Sequence, residues 1–209
     1  MLPAGGSAVL YVVGRVLLCG LFRLLFRLRV EGQGHVPASG GVLLVANHAS
    51  YLDPPVVGCA LNRPVRFMAK AELFEIPVLR WLIRKLGAFP VQRGGFDRRA
   101  VRRAIELLRE GEVVCLFPEG TRTRTGSLLP FQRGAGLIAL RAGVPVLPIG
   151  IVNTFKPFAG GRFLPRPIVV RIGKPIPLPT GEGDDREHSQ RITQLMAEGV
   201  AALLEDGSR

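Results

Sequence analysis

A chain of 209 residues is about one domain long and can bury a full core without disulfides or metals. Hydrophobic residues make up 47% and charged ones 21%, with 26 Gly and 17 Pro scattered, which excludes a disordered, collagen-like or low-complexity protein. The net charge of +12 rests almost wholly on arginine, since only Lys70, Lys85, Lys156 and Lys174 are lysines; it calls for anionic partners, and a mean hydropathy of +0.27 favours phospholipid over nucleic acid.

From Ala8 to Val30 the chain is strongly apolar but broken by Arg15, Arg23 and Arg27. No uncharged stretch there reaches the roughly 18 residues expected of a spanning helix. A secretory signal is excluded too, because its cations should precede the apolar run rather than interrupt it. At about 100° per residue the three arginines share an arc of roughly 120°, with Leu, Phe and Val on the rest. That pattern predicts a membrane-interfacial helical arm over residues 1–30, apolar side down and arginines among the headgroups. A core-packed helix and a tilted span are the other readings. The expected location is the cytoplasmic face of the cell membrane, peripheral or monotopic.

After Glu31, over residues 31–209, β-like runs alternate with helix-period segments. The runs are 41–46, 64–69, 87–91, 113–118, 144–151 and 167–173. Pro54 and Pro55 open one helix after Asp53, and Pro77 opens a second that stops at Gly87. Val101, Ala104, Ile105 and Leu108 mark a third, closed by Gly111, and residues 134–143 form a fourth. Beyond the polar linker 179–190, Ile192, Leu195, Met196, Val200 and Leu203 give a C-terminal helix over about 189–205. Such alternation is an α/β architecture: a single domain with a central, largely parallel or mixed sheet flanked by helices. Cys19, Cys59 and Cys115 are odd in number, widely spaced and in apolar settings. They predict small buried thiols in a reducing compartment, with neither a disulfide framework nor a metal site.

In α/β sheets chemistry collects where strands end, and those junctions hold the unusual residues. The first is 47–53, Asn-His-Ala-Ser-Tyr-Leu-Asp, directly after the run 41–46. His48 and Asp53 would not share a face of one continuous helix, but a turn between them can fold the carboxylate back onto the imidazole. Such a pairing fixes the tautomer and leaves the second nitrogen free as a general base. Equally open is a structural reading, with Asp53 as the N-cap before Pro54 and His48 as a buried, hydrogen-bonded histidine. The second junction runs from Gly87 to Arg93 and into Gly94-Gly95; the third is 117–122, Phe-Pro-Glu-Gly-Thr-Arg; the fourth is the strand Val144–Ile149. Taken singly, each arginine reads as a solvated loop charge.

As an ordered set these four blocks resemble the glycerolipid acyltransferase family, specifically the bacterial 1-acyl-sn-glycerol-3-phosphate acyltransferases. The resemblance runs from about residue 30 to 173: an H-x4-D block at His48 and Asp53, an arginine-ending block at Arg93, the Phe117–Arg122 block, and the proline-containing block at 144–149. Lys70 also fits a family position, whereas Gln132 stands where members often carry lysine. The resemblance implies acyl transfer from acyl-CoA or acyl-carrier protein to the sn-2 hydroxyl of lysophosphatidate, with no cofactor and no metal. His48 would be the base and Asp53 its orienting partner. Lys70, Arg93 and Arg122 would hold the substrate phosphate, and Glu119, Gly120 and Thr121 would belong to the same binding site. The implied partners are the lysophospholipid acceptor, the thioester donor and the membrane surface, with no nucleic acid. Rival readings are an acyltransferase for another lysolipid, a thioesterase or lipid hydrolase using Ser50 or a cysteine, and a non-enzymatic basic module on a membrane.

Overall fold

Apolar runs punctuated by Gly and Pro become strands of one sheet in the computed structural model of the chain, which describes residues 6–85, 87–92, 95–155, 158–159, 162–163, 166–179 and 184–205. The elements in order are α1 (Gly6–Phe26), β1 (Arg29–Glu31), β2 (Val42–Ala46), α2 (Asp53–Ala60), β3 (Val65–Lys70), α3 (Pro77–Lys85) and β4 (Phe89–Val91). There follow α4 (Arg98–Arg109), β5 (Val113–Leu116), α5 (Gly134–Ala142), β6 (Val146–Val152), β7 (Phe158–Ala159), β8 (Arg162–Phe163), β9 (Val169–Ile172) and α6 (Asp185–Glu205). Seven strands form one sheet in the order β1-β9-β6-β2-β5-β3-β4, while β7 and β8 pair only with each other. Within the large sheet only β6 and β9 run antiparallel, so the sheet is mixed.

Chain direction assigns the helices to faces. From β2 through β3 to β4 the chain steps toward one edge, and from β4 through β5 to β6 it steps back. Right-handed crossovers therefore put α2 and α3 on one face and α4 and α5 on the other. Burial agrees. Val42, Leu44 and Ala46 of β2 pack with Val56 and Val57 of α2 and with Cys19, Phe22 and Phe26 of α1. Leu43 and Val45 pack instead with Ala104, Leu107 and Leu108 of α4, Ala135 and Ile138 of α5, and Ile192, Met196 and Val200 of α6. Buried on both faces, β2 reads as an unbroken apolar run. Gly136 lets α6 close on α5, because a Cβ there would lie 2.0 Å from the Ser189 carbonyl oxygen.

Three expectations change. Cys19 and Cys59 are joined in a disulfide between α1 and α2, leaving Cys115 as a free buried thiol. Their separation of 40 residues gave no local sign; the pairing follows from α1 lying along α2. The C-terminal helix begins at Asp185, inside the expected linker, because Asp185 and Glu187 favour a helix's first turn. Arg15, expected among headgroups, turns inward and donates to the Leu61 carbonyl. Arg23 stays exposed at the margin of a broad apolar face on α1: Val13, Val16, Leu17, Leu21, Leu24 and Leu25 fill about half the helix circumference, opposite Cys19, Phe22 and Phe26. Among the described residues no helix is long and apolar enough to cross a membrane.

Candidate active site

The C-terminal ends of parallel strands β2, β3, β4, β5 and β6 share one edge of the sheet, and four of the sequence's candidate segments leave from it. The β2–β6 pairing ends at Ala46 and Ile149. Asn47 extends it with its side chain, donating from Nδ2 to the Ile151 carbonyl at 2.9 Å and accepting at Oδ1 from the Ile151 N–H at 2.7 Å. That anchor fixes where the next residue, His48, leaves the sheet.

His48 and Asp53 are brought together. The His48 Nδ1 lies 2.8 Å from Asp53 Oδ2, with His48 8% and Asp53 0% exposed. The same oxygen accepts the N–H groups of Ala49 and Ser50, both at 2.7 Å, so the turn 49–52 is wound around the carboxylate. Oδ1 is buried and has no hydrogen-bond partner among the described residues. The cap reading of Asp53 does not hold, and the chemistry of Pro54 and Pro55 says why. Neither has an N–H, and the Val56 N–H goes to the Leu52 carbonyl at 3.0 Å, so the carboxylate has nothing on α2 to cap. With a carboxylate as its partner, Nδ1 carries the proton and Nε2 the lone pair. Nε2 makes no hydrogen bond within the described residues. The imidazole is held flat by Phe117 at the end of β5, their ring centroids 4.2 Å apart and tilted by 23°.

Glu119 fastens two loops. Its Oε1 accepts the His48 N–H at 2.5 Å and its Oε2 the Leu129 N–H at 2.9 Å. The His48 carbonyl in turn accepts the Thr123 N–H at 2.9 Å. Burial pushes the Glu119 carboxyl above its ordinary range, while the two backbone N–H groups pull the other way. Gly120 has φ +69°, and a Cβ on it would lie 2.0 Å from the Gln132 amide nitrogen. Thr121 is exposed, and Arg122 is half-buried with its guanidinium carbon 3.4 Å above the centre of the Tyr51 ring. Lys70 ends β3, half-buried, with Nζ 2.9 Å from Glu72. Arg93 lies outside the described residues; the Gln92 N–H just before it is held by Asp97 Oδ2 at 2.9 Å.

Sequence reasoning missed roles for Asn47, Phe117 and Tyr51, whose partners are distant in the chain or sit on another loop. Cys59 is locked in its disulfide, and burial pushes the Cys115 thiol strongly up, so neither offers a thiolate. Among the described residues no group of three or more His, Cys, Asp or Glu side chains is arranged to hold a metal.

Residues 27–152 match the protein family described as Acyltransferase. The chain is 36% identical over 136 residues to a chloroplastic 1-acyl-sn-glycerol-3-phosphate acyltransferase of Brassica napus, covering 63% of this chain and 39% of that relative. It thus spans about two fifths of that relative's length. It is 33% identical over 202 residues to a lyso-ornithine lipid O-acyltransferase of Pseudomonas aeruginosa, covering 86% of this chain and 75% of the relative. Among solved structures, it is similar to the 1-acyl-sn-glycerophosphate acyltransferase of Thermotoga maritima: TM-score 0.67 and 30% identity, covering 95% of this chain and 84% of the other.

Proposed function

The chain belongs to the acyltransferase family, and from that premise we propose that it moves a fatty acyl group from a thioester to the sn-2 hydroxyl of lysophosphatidate. The observation that carries the reading is the hydrogen bond between His48 Nδ1 and Asp53 Oδ2 at 2.8 Å, which leaves Nε2 free to accept a proton. In this mechanism the acceptor hydroxyl gives its proton to Nε2 as its oxygen bonds to the thioester carbonyl carbon. Asp53 stabilises the imidazolium so formed. Collapse of the tetrahedral intermediate breaks the C–S bond, and the imidazolium returns the proton to the leaving thiolate. Atoms and charge balance with the donor, either acyl-CoA or acyl-carrier protein, as sole co-substrate.

Lys70 ends β3 and Arg122 lies in the loop after its parallel neighbour β5; together with Arg93 of the second sequence block, their charge-assisted hydrogen bonds would hold the phosphate. The Tyr51 ring beneath Arg122 restricts its guanidinium to one plane. The acceptor lives in a bilayer, and the exposed apolar face of α1 is the means of reaching it from the cytoplasmic side.

A second acceptor has its own support: the Pseudomonas aeruginosa relative, aligned over 202 residues, is named for lyso-ornithine lipid. An acyltransfer assay with both acceptors, each with acyl-CoA and acyl-carrier protein, separates the readings. Phosphatidate as the preferred product is the expected result. Acylation of lyso-ornithine lipid alone would replace the acceptor, and release of free fatty acid without acceptor product would make the protein a hydrolase.

A further inference from the structure

Few of the side chains described on helix α3 turn inward. Leu79 and Ile83 are half-buried, whereas Val78 is 79% and Trp81 55% exposed. Ile76, in the turn leading into it, is 52% exposed. At about 100° per residue, Leu79 and Ile83 share the inward side; Val78, Trp81 and Lys85 share the outward one, with Arg80 and Arg84 along its flank. Pro77–Lys85 contains three cations and no acid, and none of the three makes an ion pair among the described residues.

We propose that α3 is a second lipid-docking element: Ile76, Val78 and Trp81 enter the interface of an anionic phospholipid bilayer, and Arg80, Arg84 and Lys85 bind its headgroup phosphates. It rests on the reading that α1 lies on that bilayer. Three features single out a lipid surface as the occupant. By the handedness of the crossovers, α3 stands on the same face of the sheet as α1 and α2, so its exposed apolar side lies on the side of the sheet that α1 covers. An indole beside aliphatic side chains, ringed by cations, suits the headgroup boundary, where amphipathic rings settle and cations find phosphate. The third feature is position: α3 links Lys70 at the end of β3 to the β4 segment that leads to Arg93. A bilayer held there borders the phosphate clamp, and a lysolipid reaches it without crossing water.

Trp81 is the chain's sole tryptophan, so the protein carries its own probe. The full chain is mixed with vesicles of phosphatidylcholine, with or without phosphatidylglycerol, and with acyl chains brominated or not. Co-sedimentation reads docking by α1; tryptophan emission reads α3. On anionic vesicles Trp81 emission should shift to the blue and be quenched by brominated chains. The R80Q, R84Q and K85Q changes are all exposed and should leave the thermal midpoint alone. They should weaken binding to anionic vesicles by about fivefold per charge, on the order of a hundredfold together, and leave neutral vesicles unaffected. A protein that sediments while its emission stays unmoved and unquenched overturns the α3 proposal and leaves α1 docking intact. Failure to sediment overturns both. Equal affinity of the triple variant for anionic vesicles overturns the headgroup role. Concentration-dependent protection of Trp81 without lipid would assign the patch to a second copy of the chain and overturn the lipid assignment.

Discussion

Asp53 does two jobs through one oxygen, and substitutions divide them. Asp53→Asn retains a carbonyl oxygen for His48, Ala49 and Ser50 but removes the charge that steadies the imidazolium, so kcat should fall by roughly 10²–10⁴, as for a lost general base. His48→Ala should cost as much, and the double variant little more, since the two act as one unit. Single losses that multiply would separate the residues. Arg122 tests the clamp through its neighbour. Tyr51→Leu removes the ring beneath the guanidinium, which at such an exposed site is worth about 0.5–1 kcal/mol. A two- to fivefold rise in KM for the acceptor should follow from that loss, with the donor KM steady and Tyr51→Phe close to unchanged. Leucine at no cost to KM would mean that Tyr51 does not orient Arg122. His48 and Asp53 could be singled out in the sequence because their contact closes within five residues; the competing cap stayed open there, and only the Val56 N–H going to the Leu52 carbonyl removes it. Glu119 was found as a residue of the family block, but its ties to the His48 and Leu129 backbones depend on two loops meeting and leave no local trace.

Elements followed the same logic. The six apolar runs all became strands because burial on one or both faces demands apolar residues whatever the partner. β1 escaped notice: three residues at a sheet edge, Arg29–Glu31, owe their strand conformation to pairing with Val169–Arg171 rather than to their own pattern. α4 shows how one side chain sets an element's start. Asp97 accepts the N–H groups of Arg99 at 2.9 Å and Ala100 at 3.0 Å as an N-cap, while its other oxygen holds Gln92. Those bonds, with Gln92 and Ala100 foremost, hold its carboxyl below the ordinary range. Asp97→Ala should cost about 1 kcal/mol of cap, or roughly 2–4 °C in Tm for a chain of this size. A depressed carboxyl stabilises only when ionised, so the difference should be fully present above its ordinary value of 3.8 and vanish as the pH falls well below it. A gap in Tm that persists unchanged into acid would show that Asp97 acts through packing instead of charge. Asp97→Asn should keep most of the cap at every pH.

At the scale of the molecule, α1 serves the core and the surface at once, which changes how membrane docking is tested. Deleting residues 1–30 would strip Phe22 and Phe26 from the core, break the Cys19–Cys59 link and remove most of β1. Two buried phenylalanines are together worth about 3–6 kcal/mol, against a total stability of about 5–15 kcal/mol for a domain. The truncated chain should therefore aggregate or melt far below the intact one, and its loss of activity would say nothing about membranes. Leu17, Leu21 and Leu24, exposed by 68%, 50% and 79%, offer a cleaner cut. Changing all three to Gln leaves Cys19, Phe22 and Phe26 in place, and exposed substitutions of this kind usually stay within about 0.5 kcal/mol each. On a bilayer the same leucines would bury apolar surface worth about 1.5–3 kcal/mol apiece, so the variant should lose membrane binding by several orders of magnitude. Its turnover on bilayer substrate should fall with it, while turnover on acceptor dispersed in detergent should hold near the parent value. Full binding by the triple variant would end the case for α1 as the docking face. Equal losses in bilayer and detergent would show that the three leucines shape the catalytic domain rather than its address.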